Sequence, residues 1–180
     1  MENQETPEEK SVSTEPSEPQ NQRLTLSESQ LSEIQDGLKD EQNFHLAIGV
    51  GALVTILCAI LWAVITTTTG YQIGYMALGV GFAVGYTVRY AGKGIDQKFG
   101  ILGAVYALVG CLLGNLFSQV GFAADYYEVG IFEVFSVLSF GDVIDIMIET
   151  FDIMDVLFYG IAVYEGYKFA FRQITQEDLN

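Results

Sequence analysis

Residues 45–69 read HLAIGVGALVTILCAILWAVITTTT. The run carries no charge after His45. At about 1.5 Å of rise per residue a helix of this length crosses a hydrocarbon core about 30 Å thick. A soluble domain needs polar residues to cover its surface, and this run does not supply them. His45 starts the run, where the boundary with water is expected. Trp62 and Tyr71 lie near the far end, at the place of an aromatic belt. A first span is therefore expected over 45–67, and it sets the frame for the rest of the chain.

Working outward, the chain divides in two. It has 180 residues, with 8 Lys/Arg against 23 Asp/Glu, a formal net charge of -15 and a mean hydropathy of +0.31. Residues 1–43 hold 11 of the acids, 3 of the Lys/Arg and all 3 prolines. Residues 44–180 are predominantly apolar and make up an expected transmembrane domain. The acidic N-terminus does not resemble a secretory signal, which needs a basic region followed at once by an apolar one. No basic patch exists, so nucleic acid is not an expected partner.

Residues 1–27 are rich in Glu, Pro, Ser and Gln, and the composition of 1–22 predicts a disordered acidic tail. Residues 28–43 predict an amphipathic juxtamembrane helix. Ser27 and Gln30 resemble a capping box, and Leu31, Ile34 and Leu38 form one stripe. Gly37 weakens this helix.

Further spans are expected over 72–90 (QIGYMALGVGFAVGYTVRY), 100–121 (GILGAVYALVGCLLGNLFSQVG) and 153–172. Glycines recur at intervals of four, in the pairs Gly70/Gly74, Gly81/Gly85 and Gly110/Gly114, with Gly103 adding to the theme. Small residues at this spacing let helix backbones approach closely in lipid. Between the third and fourth spans, residues 128–151 predict two short interfacial helices. The second has acids at 142, 145 and 149 on one face, a series that Asp152 extends. Ser139 with Asp142 resembles a second capping box.

Cytoplasmic flanks of membrane proteins collect Lys and Arg. With four spans and a cytoplasmic N-terminus, all 8 basic residues fall on the cytoplasmic side, and the outer loops 68–71 and 122–152 hold none. A three-span arrangement would put Lys168 and Arg172 outside. The expected fold is therefore an all-α integral membrane bundle of four transmembrane helices, with both termini cytoplasmic and a short amphipathic segment between the third and fourth.

Few residues carry candidate chemistry. Asn115, with Ser118 and Gln119, is polar within the third span; it either contacts a substrate or ion or makes an interhelical hydrogen bond. Glu165 is ionisable inside the fourth span, which raises a proton or ion role, and Lys168 one turn away offers a structural ion pair instead. The acidic stripe Asp142, Asp145, Glu149 and Asp152 runs along a helix axis and does not converge on a cation, so it reads as a solvated face or a docking surface. Cys58 and Cys111 lack metal-ligand or redox spacing and read as small core residues, on parallel helices at similar depth. No nucleotide-binding, hydrolase or metalloprotease motif occurs, and the one histidine lies at a span boundary. No catalytic residue, metal site or cofactor is expected.

Four stretches also resemble a known group of proteins: DEQNFHLAIG (40–49), ILWAVITTTTGYQIGYMALGVGFAVGYTVRYAGKG (60–94), FGILGAVYALVGCLLGNLF (99–117) and MDVLFYGIAVYEGYKFAF (154–171). Together they resemble a family of small bacterial multi-pass membrane proteins with no assigned activity. The resemblance covers roughly residues 40–172 and implies a bacterial cytoplasmic (inner) membrane location. It supplies no catalytic residues. Three functional classes follow: a scaffold or accessory subunit of a membrane assembly, a small oligomeric channel or transporter, and a membrane enzyme or lipid-active protein. The first is the expected one, because few intramembrane charges leave little coupling machinery for transport. The expected partners are membrane lipid and a second membrane protein or further copies of the chain.

Overall fold

The computed structural model describes residues 36–71 and 74–173. After a helical stretch at residues 36–40, six helices follow one another: α1 (Phe44–Thr69), α2 (Met76–Gly92), α3 (Gln97–Tyr126), α4 (Ile131–Val137), α5 (Phe140–Glu149) and α6 (Ile153–Phe169). No strand occurs among the described residues. Two helices, α1 and α3, are long and apolar enough to cross a membrane. The helices found at the expected second and fourth spans, α2 and α6, have 17 residues each. The expected acidic tail lies outside the described residues.

The four long helices run alternately up and down. Gly51 of α1 lies against Tyr106 of α3, and Thr67 lies against Gly121, so α1 and α3 are parallel. Gly74 and Gly81 meet Phe158 and Ala162, which makes α2 and α6 parallel too. Ala47 meets Gly92 and Gly103 meets Gly166, so α1 opposes α2 and α3 opposes α6. Helices α2 and α3 each touch the other three, with α1 and α6 on opposite sides.

Apart from Trp62, which is buried within the bundle and not in an aromatic belt as expected, α1 turns small side chains inward and large ones outward. Ala47, Gly51, Thr55, Ala59, Trp62 and Thr66 are buried and fall on one stripe. Leu53, Ile56, Leu57, Ile60, Leu61 and Val64 are exposed, Leu53 by 57%. The threonines cost this helix little, because the Thr55 hydroxyl donates to the Gly51 carbonyl at 2.8 Å and Thr67 to Ala63 at 2.8 Å.

Several boundaries differ from those expected, α2 beginning at Met76 and α6 ending at Phe169 among them. Residues 36–40 are helical, but 41–43 break the helix and Asn43 caps α1 afresh, its side chain accepting from the Leu46 N–H at 2.9 Å. The juxtamembrane segment therefore does not run into the first span; its residues before 36 lie outside the described set. Helix α3 extends past the expected third span at both ends, to 30 residues and about 45 Å. Its last turns carry the short helices, with Phe117 set edge-on to Phe135 at 5.9 Å between ring centres. Finally, Asp152 does not extend the α5 face. Residues 151 and 152 are non-helical, and the Asp152 side chain caps α6.

The glycines divide by role. Cβ atoms built on Gly81 and Gly85 would lie 2.6 Å and 2.9 Å from atoms of α6, and those on Gly110 and Gly114 would meet Val80 and Trp62 at 2.7 Å and 2.9 Å. Gly70 has open space around it and a φ of 70°; it ends α1 as a left-handed C-cap and packs against nothing. Gly74 is in the turn before α2, beneath the Phe158 ring. The closest approach falls at Gly103 and Gly166, where an added methyl on either would strike the other's carbonyl.

Candidate functional site

Polar side chains gather inside the bundle toward the end where α3 finishes and α6 begins. Asn115 and Ser118 of α3 are fully buried, and Tyr159 and Asp155 of α6 nearly so. The antiparallel register of α3 and α6 brings them level. The Tyr159 hydroxyl donates to the Cys111 carbonyl at 3.5 Å and also hydrogen-bonds the Asn115 side chain. Gln119 donates to the Asn115 Oδ1 at 3.5 Å, and Ser118 donates to the Gly114 carbonyl at 2.7 Å. Asp155 closes the α6 capping box by accepting from the Asp152 N–H at 2.9 Å.

Gln119 also lines a cavity of about 490 Å³ under α4 and α5. Val120, Ala123, Val134, Val137, Leu138 and Ile146 give it an apolar wall, while Gln119 and Glu133 supply polar groups. Its size falls within the range of small-molecule sites. The surrounding surface is uniformly acidic: Asp125, Glu128, Glu133, Asp142, Asp145 and Glu149 are all exposed, and no Lys or Arg occurs between residues 99 and 167. Of these, Asp142 is held below its ordinary carboxylate value by its hydrogen bonds to Ser139. No group of three or more metal-ligating side chains occurs among the described residues.

The sequence candidates do not converge on one place. Asn115 belongs to the seam. Glu165 is level with the Gly103–Gly166 contact, about 18 Å along the axis from Asn115. It is half-buried, and its Oε2 is shielded from solvent with no hydrogen-bond partner among the described residues. The expected Glu165–Lys168 pair is not formed. Lys168 instead lies over the rings of Tyr164 and Phe169 at 5.6 and 5.9 Å, and Arg172 pairs with Glu41 at 2.7 Å. A lysine three residues along a helix reaches an exposed aromatic face as readily as a carboxylate turned toward a neighbouring helix. His45 is exposed in the first turn of α1. Both cysteines are free thiols in the α1–α3 contact, Cys111 within the core and Cys58 packed against it.

Tyr159 and Asp155 are the seam residues that sequence reading missed. Their signal was present: residues four apart share a helix face, and Asp155, Tyr159, Ala162 and Gly166 form the buried stripe of α6.

The opposite end of the bundle is held differently. Glu41 lies 2.7 Å from the Arg172 guanidinium and 3.7 Å from the Lys93 ammonium. The Asn43 N–H donates to the Gly92 carbonyl at 2.9 Å, and the Arg172 N–H to the Gly94 carbonyl at 2.8 Å. Three segments distant in sequence are thereby tied: the entry to α1, the α2–α3 loop and the exit from α6. The cations hold Glu41 below its ordinary value, with the Arg172 hydrogen bond the leading cause. No family model, curated protein or solved structure matches the chain.

Proposed function

We propose that the chain is a four-span protein of the bacterial cytoplasmic membrane, with both termini cytoplasmic, acting as a scaffold or accessory subunit of a membrane assembly. The observation that carries this reading is the dressing of α1, where five of the six buried residues are small, Trp62 being the sixth, and Leu53, Leu57, Ile60 and Leu61 are exposed. Water would penalise that surface, whereas lipid tails are as apolar as leucine and leave packing of small residues to hold the helices together. Up-and-down pairing of four helices puts the start of α1, the α2–α3 loop and the end of α6 at one end of the bundle. The six described Lys and Arg residues cluster at that end, which supports a cytoplasmic assignment.

A scaffold role is favoured over transport by the interior. Close backbone contact at Gly81–Ala162 and Gly103–Gly166 closes the α2–α6 and α3–α6 seams at those levels within one chain. The exposed acidic lobe of α4 and α5, continuous with the apolar cavity beneath it, supplies a surface for a basic partner.

Reporter fusions in the 71–75, 93–96 and 127–130 loops and after residue 173 test the topology, with alternating sides expected. Mild-detergent affinity purification with native mass measurement tests the role. A stoichiometric second membrane protein is the expected result. A homo-oligomer with no partner overturns the scaffold reading in favour of a small oligomeric channel or transporter.

A further inference from the structure

The chain carries nearly three acids for every base, yet two of the cations among the described residues meet no carboxylate. Among the described residues Lys39, Lys93, Lys98 and Arg172 each lie within 4 Å of an Asp or Glu. Arg89 and Lys168 do not, and what they touch is aromatic. The Arg89 guanidinium lies 5.8 Å from the ring centres of Tyr86 and Tyr90, and the Lys168 ammonium lies 5.9 Å from that of Phe169. Those rings form one stack on the joint face of α2 and α6: Tyr86 is 5.3 Å from Phe169, Phe169 is 4.3 Å from Phe82, and Tyr90 is 6.2 Å from Tyr86.

We propose that Arg89 and Lys168, standing on this aromatic stack, bind the phosphate headgroup of an anionic phospholipid. The inference rests on α2 and α6 spanning the membrane with this end cytoplasmic. Both cations fall in the last turn of their helices, the level at which such a span reaches headgroups. A guanidinium presents paired donors that match phosphate oxygens, and Lys168 adds a second charge across the stack. Phe82 is 41% exposed one turn deeper than Tyr86 and gives the first carbons of an acyl chain an apolar floor. A soluble acidic peptide has no use for that floor, and it is this which favours lipid. Basic pockets between spans on the cytoplasmic side are suited to anionic headgroups.

The test uses the full chain, reconstituted in vesicles of phosphatidylcholine alone or mixed with phosphatidylglycerol, extracted in mild detergent and read by native mass spectrometry for retained lipid. The wild type is expected to retain phosphatidylglycerol in preference to phosphatidylcholine. R89Q and K168Q are each expected to lose roughly fivefold in retention, and the double variant about thirtyfold. Lys98→Gln, at a cation already paired with Asp96, serves as the control and leaves retention unchanged. Lys168 is exposed and Arg89 half-buried, so an unchanged elution profile for K168Q alone separates lipid loss from misfolding. Equal retention by the double variant overturns the site. A C-terminal reporter on the outer side, with the double-variant loss intact, would sink the orientation and leave the site standing.

Discussion

Gly103 and Gly166 meet carbonyl to backbone, and that contact sets the distance between α3 and α6. Replacing Gly103 with Val puts a branched side chain into the Gly166 carbonyl, and overpacking of this kind costs about 1–3 kcal/mol. Thermal unfolding in detergent, followed by size-exclusion fluorescence, should show a lower midpoint for Gly103→Val. Gly160→Ala, where an added methyl meets nothing, should unfold at or above the wild-type temperature. At the same scale, Tyr159→Phe removes the hydroxyl that joins α6 to Cys111 and Asn115. Buried hydrogen bonds between spans average about 0.6 kcal/mol, so a loss above about 2 kcal/mol would contradict a purely structural role for the seam. Spacing in the sequence identified Gly81, Gly85, Gly110 and Gly114 because pairs four apart stand out by eye. It did not identify Gly166, whose partner four residues back is Ala162, and it could not tell Gly70 from them, because a C-cap and a packing contact demand the same residue for different reasons.

Helix α5 is set by its own first turn. The Ser139 hydroxyl accepts from the Asp142 N–H at 3.3 Å, and the Asp142 carboxylate accepts from the Ser139 N–H at 2.8 Å. That reciprocal box is legible in the tetrapeptide, because a capping pattern is local. Ser139→Ala should cost α5 about 1 kcal/mol and raise amide exchange in residues 140–149 about fivefold, with α3 unaffected. The acid arm has a definite sign: a carboxylate held below its ordinary value contributes above that value and loses its contribution as pH falls through its folded pKa. The α5 amides should therefore lose protection on acidification, while those of α3 do not. The length of α3 was less legible. Phe122, Ala123 and Ala124 keep the run apolar and helix-favouring past residue 121, and the helix ends at Tyr126, just after Asp125, where α3 packs against α4 and α5.

Across the whole molecule, the Glu41 clasp joins the entry to α1, the α2–α3 loop and the end of α6. Its carboxylate is depressed by Arg172 and Lys93, so the clasp is present at neutral pH and lost as pH falls below the ordinary carboxylate range. Glu41→Gln should free the segments on either side at neutral pH, seen as faster proteolysis near residues 36–43 and 170–173. Acid should add little further in that variant. Nothing in the sequence pairs residues 131 apart, so this contact was invisible until the chain was folded. The helical class, the two long apolar runs and the Ser139–Asp142 capping box were determined by the sequence itself, because each depends on composition or on neighbours within a turn or two. Which small residues touch, which polar groups meet in the α3–α6 seam, why Lys168 lies on aromatic rings and not on Glu165, and what ties the end together were decided by tertiary structure alone. Those outcomes depend on helix register and rotation, and many sequences with the same apolar pattern would satisfy the local rules while packing another way.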